Sequence, residues 1–456
     1  MTDPADLTLV ELLPLLESRA LSARELLDAC LARVERHERQ VKAFVTLTPD
    51  LARAAADAAD QARAAGRPVG ALAGVPVALK DLYCTRGVPT TASSRVLVGY
   101  DPGVDATVWA RLRDAGAGLL GKTTLHEFAY GTGSHPTRNP WDLTRTPGGS
   151  SGGSAAALAA RMVPVATGTD TGGSLRIPAA ACGLSSLRAT HGRVSAYGVL
   201  PLSHSLDTTG PMARRMLDVC LLLGLLAGYD PRDPHSLDEP VPAYPNAPRE
   251  DLRGVRIGVP TRLFWDDVDE QINAGCRSGL LRLVDRGAEL VEVEPPDDVE
   301  EVLGVPGAYG ATMGPEALEH HAVWLADREV LYGESVRRRF AQAREVTPEQ
   351  YAQAQRDRIR WATDWRRLVT GHRLDVVAHP TIPAPPQPVP GPGPSIVLAK
   401  AWSINGFPSL SVPVGIDDRG LPVGLLLAGL PEQEASLLQL AVTLDEDVQL
   451  FRRSPP

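Results

Sequence analysis

The run Pro147-Gly148-Gly149-Ser150-Ser151-Gly152-Gly153-Ser154 and its echo Asp170-Thr171-Gly172-Gly173-Ser174-Leu175-Arg176 constrain this chain more than any other feature. Glycines this dense permit φ > 0 and let the backbone come close to a ligand, so that its N–H groups can point at an oxyanion. A serine at the end of such a run is a candidate nucleophile. Lys80, closing the apolar run Val75-Pro76-Val77-Ala78-Leu79, is a candidate base. A serine hydroxyl needs a base, and a lysine serves only when neutral, which requires burial to lower its pKa from about 10.4 toward about 7–8. Together these residues point to acyl transfer. A Gly/Ser tract can also be a flexible linker. Here Ala155-Ala156-Ala157-Leu158-Ala159-Ala160 follows at once and favours a helix, with Ser154 placed to cap it. A structured site loop is the expectation.

Lys80, the tract Gly148–Ala157 and the stretch Asp170–Pro178 resemble the amidase signature family, whose members hydrolyse or transfer C–N bonds of amides with a Ser–cis-Ser–Lys triad. Leu72–Asp81 looks like that family's lysine strand, Gly121–Gly131 like its pocket segment, and Asn405–Pro413 like its C-terminal strand. The resemblance implies an α/β amidase signature fold, a large central mixed sheet covered on both faces by helices. It also implies that Ser174 becomes acylated, that Ser150 on a cis peptide after Gly149 relays the proton, and that Lys80 is the base. Thr171, Gly172, Gly173 and Ser174 would offer amides to the oxyanion. Ser151, Asp170 and Arg176 would support the site, Asp170 and Arg176 by pairing across the nucleophile loop. Phe128, Ala129, Tyr130 and Gly131 would line the acyl pocket. No cofactor is expected.

Two other motifs compete. Gly116–Thr123 satisfies the P-loop pattern GxxxxGK[ST], but a P-loop needs a strand before its glycines and a helix at its lysine. Here a helical pattern comes first and Ala117–Leu120 reads as a buried strand. Gly149-Ser150-Ser151-Gly152-Gly153 satisfies the nucleophile elbow GxSxG, with Ser151 as nucleophile and Asp375 and His379 as downstream partners. An elbow needs a strand running into it, whereas Arg138–Pro147 carries two prolines and turn residues. The histidines form no metal pattern: His126-Glu127 lacks the second histidine of HExxH, and His320-His321 are adjacent.

Along the chain, Thr8-x-x-Glu11 and Ser22-x-x-Glu25 are capping boxes, and residues 1–65 read as helices. Strand and helix then alternate: Val75–Leu79 strand, Ala106–Ala115 helix, Ala117–Leu120 strand, Ala155–Arg161 helix, Val163–Ala166 strand. Tyr229–Glu250, with six prolines, reads as a surface connection. Val255–Val259 and Glu289–Val293 read as strands around an Ile272–Arg286 helix, and Gly310–Val369 reads as mostly helical. His379–Pro394 holds eight prolines and reads as an extended loop, either a connector or a wall near the site. We read residues 1–456 as one domain: N-terminal helices 1–65, signature core 66–228, an α/β and then helical insertion 229–370, and the rest of the sheet 371–456.

A net charge of −9 argues against a surface built mainly for nucleic acid, whose phosphates need clustered Lys and Arg. Five scattered cysteines without CxxC spacing fit a reduced compartment. The start of the chain lacks the basic region of a signal peptide, and the longest apolar runs are too short to span a bilayer. These features imply a cytoplasmic protein, off the membrane and compatible with a homodimer. The expected reading is a stand-alone hydrolase of a small amide or carbamate. The alternative is the catalytic A subunit of an aminoacyl-tRNA amidotransferase, from whose usual pocket segment the chain departs at His126 and Tyr130.

Overall fold

The alternation of short apolar runs with helices resolves, in the computed structural model, into an eleven-stranded mixed sheet with order β1-β3-β2-β4-β6-β5-β10-β11-β9-β7-β8. The structure describes residues 2–297, 302–303 and 307–456; parts of the 229–370 insertion therefore lie outside the described residues. The strands are β1 (Phe44–Leu47), β2 (Pro76–Lys80), β3 (Gly118–Thr123), β4 (Val165–Asp170), β5 (Ser185–Arg188) and β6 (Thr208–Ala213). The far half holds β7 (Arg256–Pro260), β8 (Glu289–Val293), β9 (Val376–Pro380), β10 (Ser409–Ile416) and β11 (Pro422–Ala428). Parallel pairing links β3, β2 and β4 at one end and β8, β7 and β9 at the other, with antiparallel strands between.

Helices cover both faces. Successive residues of a strand point to opposite faces. On β11, Gly424 lies against Ala180 of α6 (Arg176–Cys182), while its neighbour Val423 lies against Gly275 of α8 (Glu270–Asp285). The other helices before α8 are α1 (Leu9–Glu17), α2 (Ala23–Val41), α3 (Pro49–Ala64), α4 (Thr107–Asp114), α5 (Gly152–Ala159) and α7 (Met216–Leu226). After it come α9 (Gly307–Arg328), α10 (Glu334–Ala343), α11 (Pro348–Gly371), α12 (Lys400–Ser403) and α13 (Glu434–Val448). Both expected capping boxes form, at Thr8/Glu11 and Ser22/Glu25.

Three local expectations need correction. Residues 1–65 are not all helical: Phe44–Leu47 is an edge strand paired antiparallel with β3. Ser154 does not cap α5. The helix begins earlier, after Ser151, and the Ser154 hydroxyl instead donates to the Thr167 carbonyl at 2.8 Å. This early start rests on Gly153, where a Cβ would come within 2.5 Å of the Thr124 carbonyl oxygen. Finally, the proline-rich segment begins inside β9 and is tied down: Val389 N donates to Thr144 O at 2.9 Å and Thr146 N to Gln387 O at 2.9 Å.

The P-loop reading also fails here. Gly118–Thr123 is a fully buried strand, and Lys122 faces the interior, with its Nζ 3.1 Å from Asp81 Oδ1 and hydrogen-bonded to Tyr83 O at 2.8 Å. Both side chains of this pair are completely buried. Removing one charge leaves the other buried and uncompensated, so Lys122→Met should cost about 3–5 kcal/mol in chemical denaturation. Adding Asp81→Asn should recover part of that loss; no recovery in the double variant would show that the pair is not the source.

Candidate active site

Strands β2 and β4 are parallel neighbours, with Val77 opposite Val165 and Ala78 opposite Ala166. Parallel neighbours run the same way, so their C-terminal ends share one edge of the sheet. Lys80, the last residue of β2, therefore meets the loop that follows β4. The Lys80 ammonium donates to Ser150 Oγ at 2.7 Å and to Thr169 Oγ1 at 2.6 Å, and Lys80 and Ser150 are both 0% exposed. Burial pushes the Lys80 pKa down to about 7, against the opposing pull of the Asp207 and Asp170 carboxylates. At neutral pH a large share of Lys80 is thus uncharged and able to accept a proton from the serine it touches.

The Gly149–Ser150 peptide is cis. The Ser150 carbonyl accepts from His126 N at 3.2 Å and from Ser134 Oγ at 3.1 Å, which fixes the turn from outside. Ser151 stitches the two glycine loops together. Its hydroxyl donates to Thr169 O and accepts from Thr169 N, each at 3.3 Å, and its amide donates to Ser174 O at 3.3 Å. That removes Ser151 as an elbow nucleophile. The partners are missing too: His379 Nε2 accepts from Trp402 Nε1 at 2.8 Å, and Asp375 accepts from Arg256 N at the far side of the sheet.

The loop bearing Ser174 is built around Asp170. Arg176 grips it with two bonds, Nε to Oδ2 at 3.0 Å and Nη2 to Oδ1 at 2.9 Å, and all of it is buried. Burial alone would raise the Asp170 carboxyl, but Arg176 and Arg188 hold it far below the usual carboxylate range. The other Arg176 partners, Ala399 O and Ser403 Oγ, both at 2.7 Å, anchor the loop to α12 and the residue before it. The guanidinium is thus engaged by the protein itself. Gly173 sits at φ +129°, and a Cβ there would come within 2.7 Å of Ala399 and Ile177, so only glycine fits. Its amide is taken by Asp170 Oδ1 at 2.8 Å, which removes Gly173 from the expected set of oxyanion donors. The amides of Thr171, Gly172 and Ser174 have no acceptor among the described residues.

Ser174, 6% exposed, opens onto a cavity of about 330 Å³. Ala129, Tyr130 and Gly131 line it, and Pro392–Pro394 form a wall, so the proline-rich loop borders the site. Phe128 does not line it. Its ring packs instead against His321, Trp324 and Tyr332, with centroids 4.5 to 5.5 Å apart. Three further lining residues, Tyr309, Met313 and Arg339, come from α9 and α10 and carry no motif. Outside this cavity, Thr169 and Asp207 act on Lys80, one by hydrogen bond and one by charge. Burial pushes His126 down to about 4, and its Nδ1 meets Gly133 O at 2.5 Å, so it braces the pocket segment as a neutral ring. No group of His, Cys, Asp and Glu among the described residues could hold a metal ion.

A family model for amidases matches residues 25–438. The A subunit of a glutamyl-tRNA(Gln) amidotransferase from Chloroflexus aurantiacus is 41% identical, with 96% of each chain covered. An amidase of Pseudomonas putida is 42% identical, with 100% of this chain and 99% of that protein covered. The solved structure of a peptide amidase from Stenotrophomonas maltophilia superposes with a TM-score of 0.85 at 31% identity, covering 98% of each chain. With the fold, the family model and these relatives in agreement along nearly its whole length, the chain belongs to the amidase signature family.

Proposed function

We propose that this chain, acting as one domain, cleaves the C–N bond of an amide through an acyl-enzyme on Ser174. The observation that carries this reading is the buried 2.7 Å hydrogen bond between Lys80 and Ser150, with the lysine brought to about 7. In this scheme the proton of Ser174 Oγ passes through Ser150 to neutral Lys80 as Ser174 attacks the carbonyl carbon. The free amides of Thr171, Gly172 and Ser174 receive the oxyanion; losing one such donor typically costs about 2.7–4 kcal/mol of barrier. The relay then returns the proton to the departing nitrogen, and water releases the acyl group by the same steps. Incubation of the purified chain with primary amides, anilides and carbamates tests the reading. Product release is expected for at least one class, with no metal added.

The nature of the donor is the second question. Several relatives are named as A subunits of an amidotransferase, which favours glutamine as donor, ammonia as product and partner subunits to receive it. One observation in this chain agrees. Arg339 borders the Ser174 cavity, has no carboxylate partner among the described residues, and lies 5.6 Å from the Tyr130 ring centroid. A free guanidinium there suits a substrate carboxylate. A hydrogen bond to a charged group contributes about 1.5–3 kcal/mol, so Arg339→Gln should lower kcat/KM for a carboxylate-bearing amide about 10- to 100-fold relative to an uncharged one. An unchanged ratio would count against the glutamine reading. The stand-alone reading is supported by the Pseudomonas putida amidase, which is as similar as any of these subunits. Among the described residues no helix is long and apolar enough to cross a membrane.

A further inference from the structure

A second cavity, of about 420 Å³, borders the catalytic loop at Thr169 and Thr171. It shares Ala129 and Thr171 with the Ser174 cavity, but the two differ in the catalytic groups they reach. Ser174 and Gly172 border the smaller cavity only. Thr169, whose hydroxyl touches Lys80 Nζ at 2.6 Å, borders the larger one only. In acyl transfer by a single serine, the acyl carbon stays with the nucleophile, while the nitrogen departs toward the group that protonates it. Here that group is the Lys80–Ser150 relay. Resting on the acyl-enzyme reading above in its stand-alone form, we infer that the larger cavity seats the leaving amine, and that this amine is an aromatic or branched aliphatic one.

Size and lining both support the chemical class. Ammonia needs about the room of one water, roughly 30 Å³, whereas this cavity falls in the range of small-molecule sites, about 300–1,000 Å³. Leu82, Val199, Leu200 and Leu202 give it an apolar wall beside the catalytic loop. Its polar groups are mostly occupied by the protein. Asp233 accepts from Ala196 N at 2.7 Å, and Asp207 accepts from Leu202 N, Ser203 N and Thr171 Oγ1. Arg232 pairs with Asp230 and lies over the Tyr197 ring at 4.3 Å. At the rim, His204 and His235 stack with centroids 5.9 Å apart. Aromatic faces and leucines, with the carboxylates hydrogen-bonded to the protein and Arg232 paired, suit a ring or branched chain.

The test uses two substrates with one acyl group, a primary amide and its anilide, and the full chain. Ala196→Phe and Val199→Trp each fill the cavity from a partly exposed wall position. Filling it should lower the ratio of kcat/KM for anilide over primary amide at least about tenfold, the scale on which a hydrophobic pocket discriminates between substrates. Covalent labelling of Ser174 by a fluorophosphonate reports that each variant is folded and its site assembled. Labelling with an unchanged ratio in both variants overturns the leaving-group site alone. A wild-type chain that is not labelled and turns over neither substrate overturns the acyl-enzyme reading and this inference together. Added aniline should also inhibit anilide turnover in the wild type and less in Ala196→Phe; equal inhibition of both would contradict the inference.

Discussion

Ser174→Ala should lose amide hydrolysis by about four orders of magnitude or more, the scale seen when the nucleophile of a serine hydrolase is removed. The loss should fall on kcat, because the substitution deletes only a hydroxyl at the edge of a cavity. The fold should survive. Ser174 contributes its carbonyl to Ser151 and no side-chain hydrogen bond among the described residues, while the loop is held by Asp170, Arg176 and Gly173. A melting temperature within a few degrees of wild type, together with collapsed kcat, is the expected pair of results. Retained activity would remove Ser174 from the mechanism.

The second large effect concerns Lys80. With its neutral form as the proposed base, kcat/KM should rise with pH through an apparent pKa of about 7. Lys80→Met should lose about three or more orders of magnitude at neutral pH and should lose this rising limb, with partial recovery at high pH where hydroxide assists. The same substitution should raise stability. The folded pKa lies below the unfolded value, about 10.4, so between roughly pH 7 and 10.4 the unfolded chain binds more protons and wild-type stability climbs with pH. Burying an uncharged methionine removes that slope and its cost. A higher melting temperature at pH 7 in Lys80→Met, with less increase toward pH 10 than in wild type, is expected. An equal climb toward pH 10 in the variant and the wild type would mean that Lys80 does not titrate in this range, which would leave the relay without a base.

The strands that were legible from sequence, β2, β3, β4, β7 and β8, are short apolar runs between turn signals. Strand β1 escaped because Phe44-Val45-Thr46-Leu47 is a half-exposed edge between two strong helices. Strands β5 and β6, Ser185–Arg188 and Thr208–Ala213, escaped because serine, threonine, glycine and proline occupy positions that the surrounding sheet buries. In the site, Lys80, Ser150 and Ser174 stood out because glycine density and an isolated lysine mark chemistry locally. Asp170 and Arg176 are six residues apart and their pairing was readable from that spacing. Tyr309, Met313 and Arg339 were not. They reach the cavity from helices far along the chain, and helical spacing says which face is buried but not what it is buried against. Phe128 was misplaced for the opposite reason: its neighbours line the cavity, but a left-handed backbone at φ 49° turns its ring into the aromatic cluster behind.

In the proposed mechanism one serine of the two glycine tracts is acylated while the other passes the proton. Reaction of the wild-type chain with a fluorophosphonate, followed by digestion and mass mapping of the adduct, tests it most directly. A single adduct on Ser174 is expected, formed at a rate that rises with pH through about 7. An adduct on Ser150 or Ser151, with Ser174 unmodified, would contradict it.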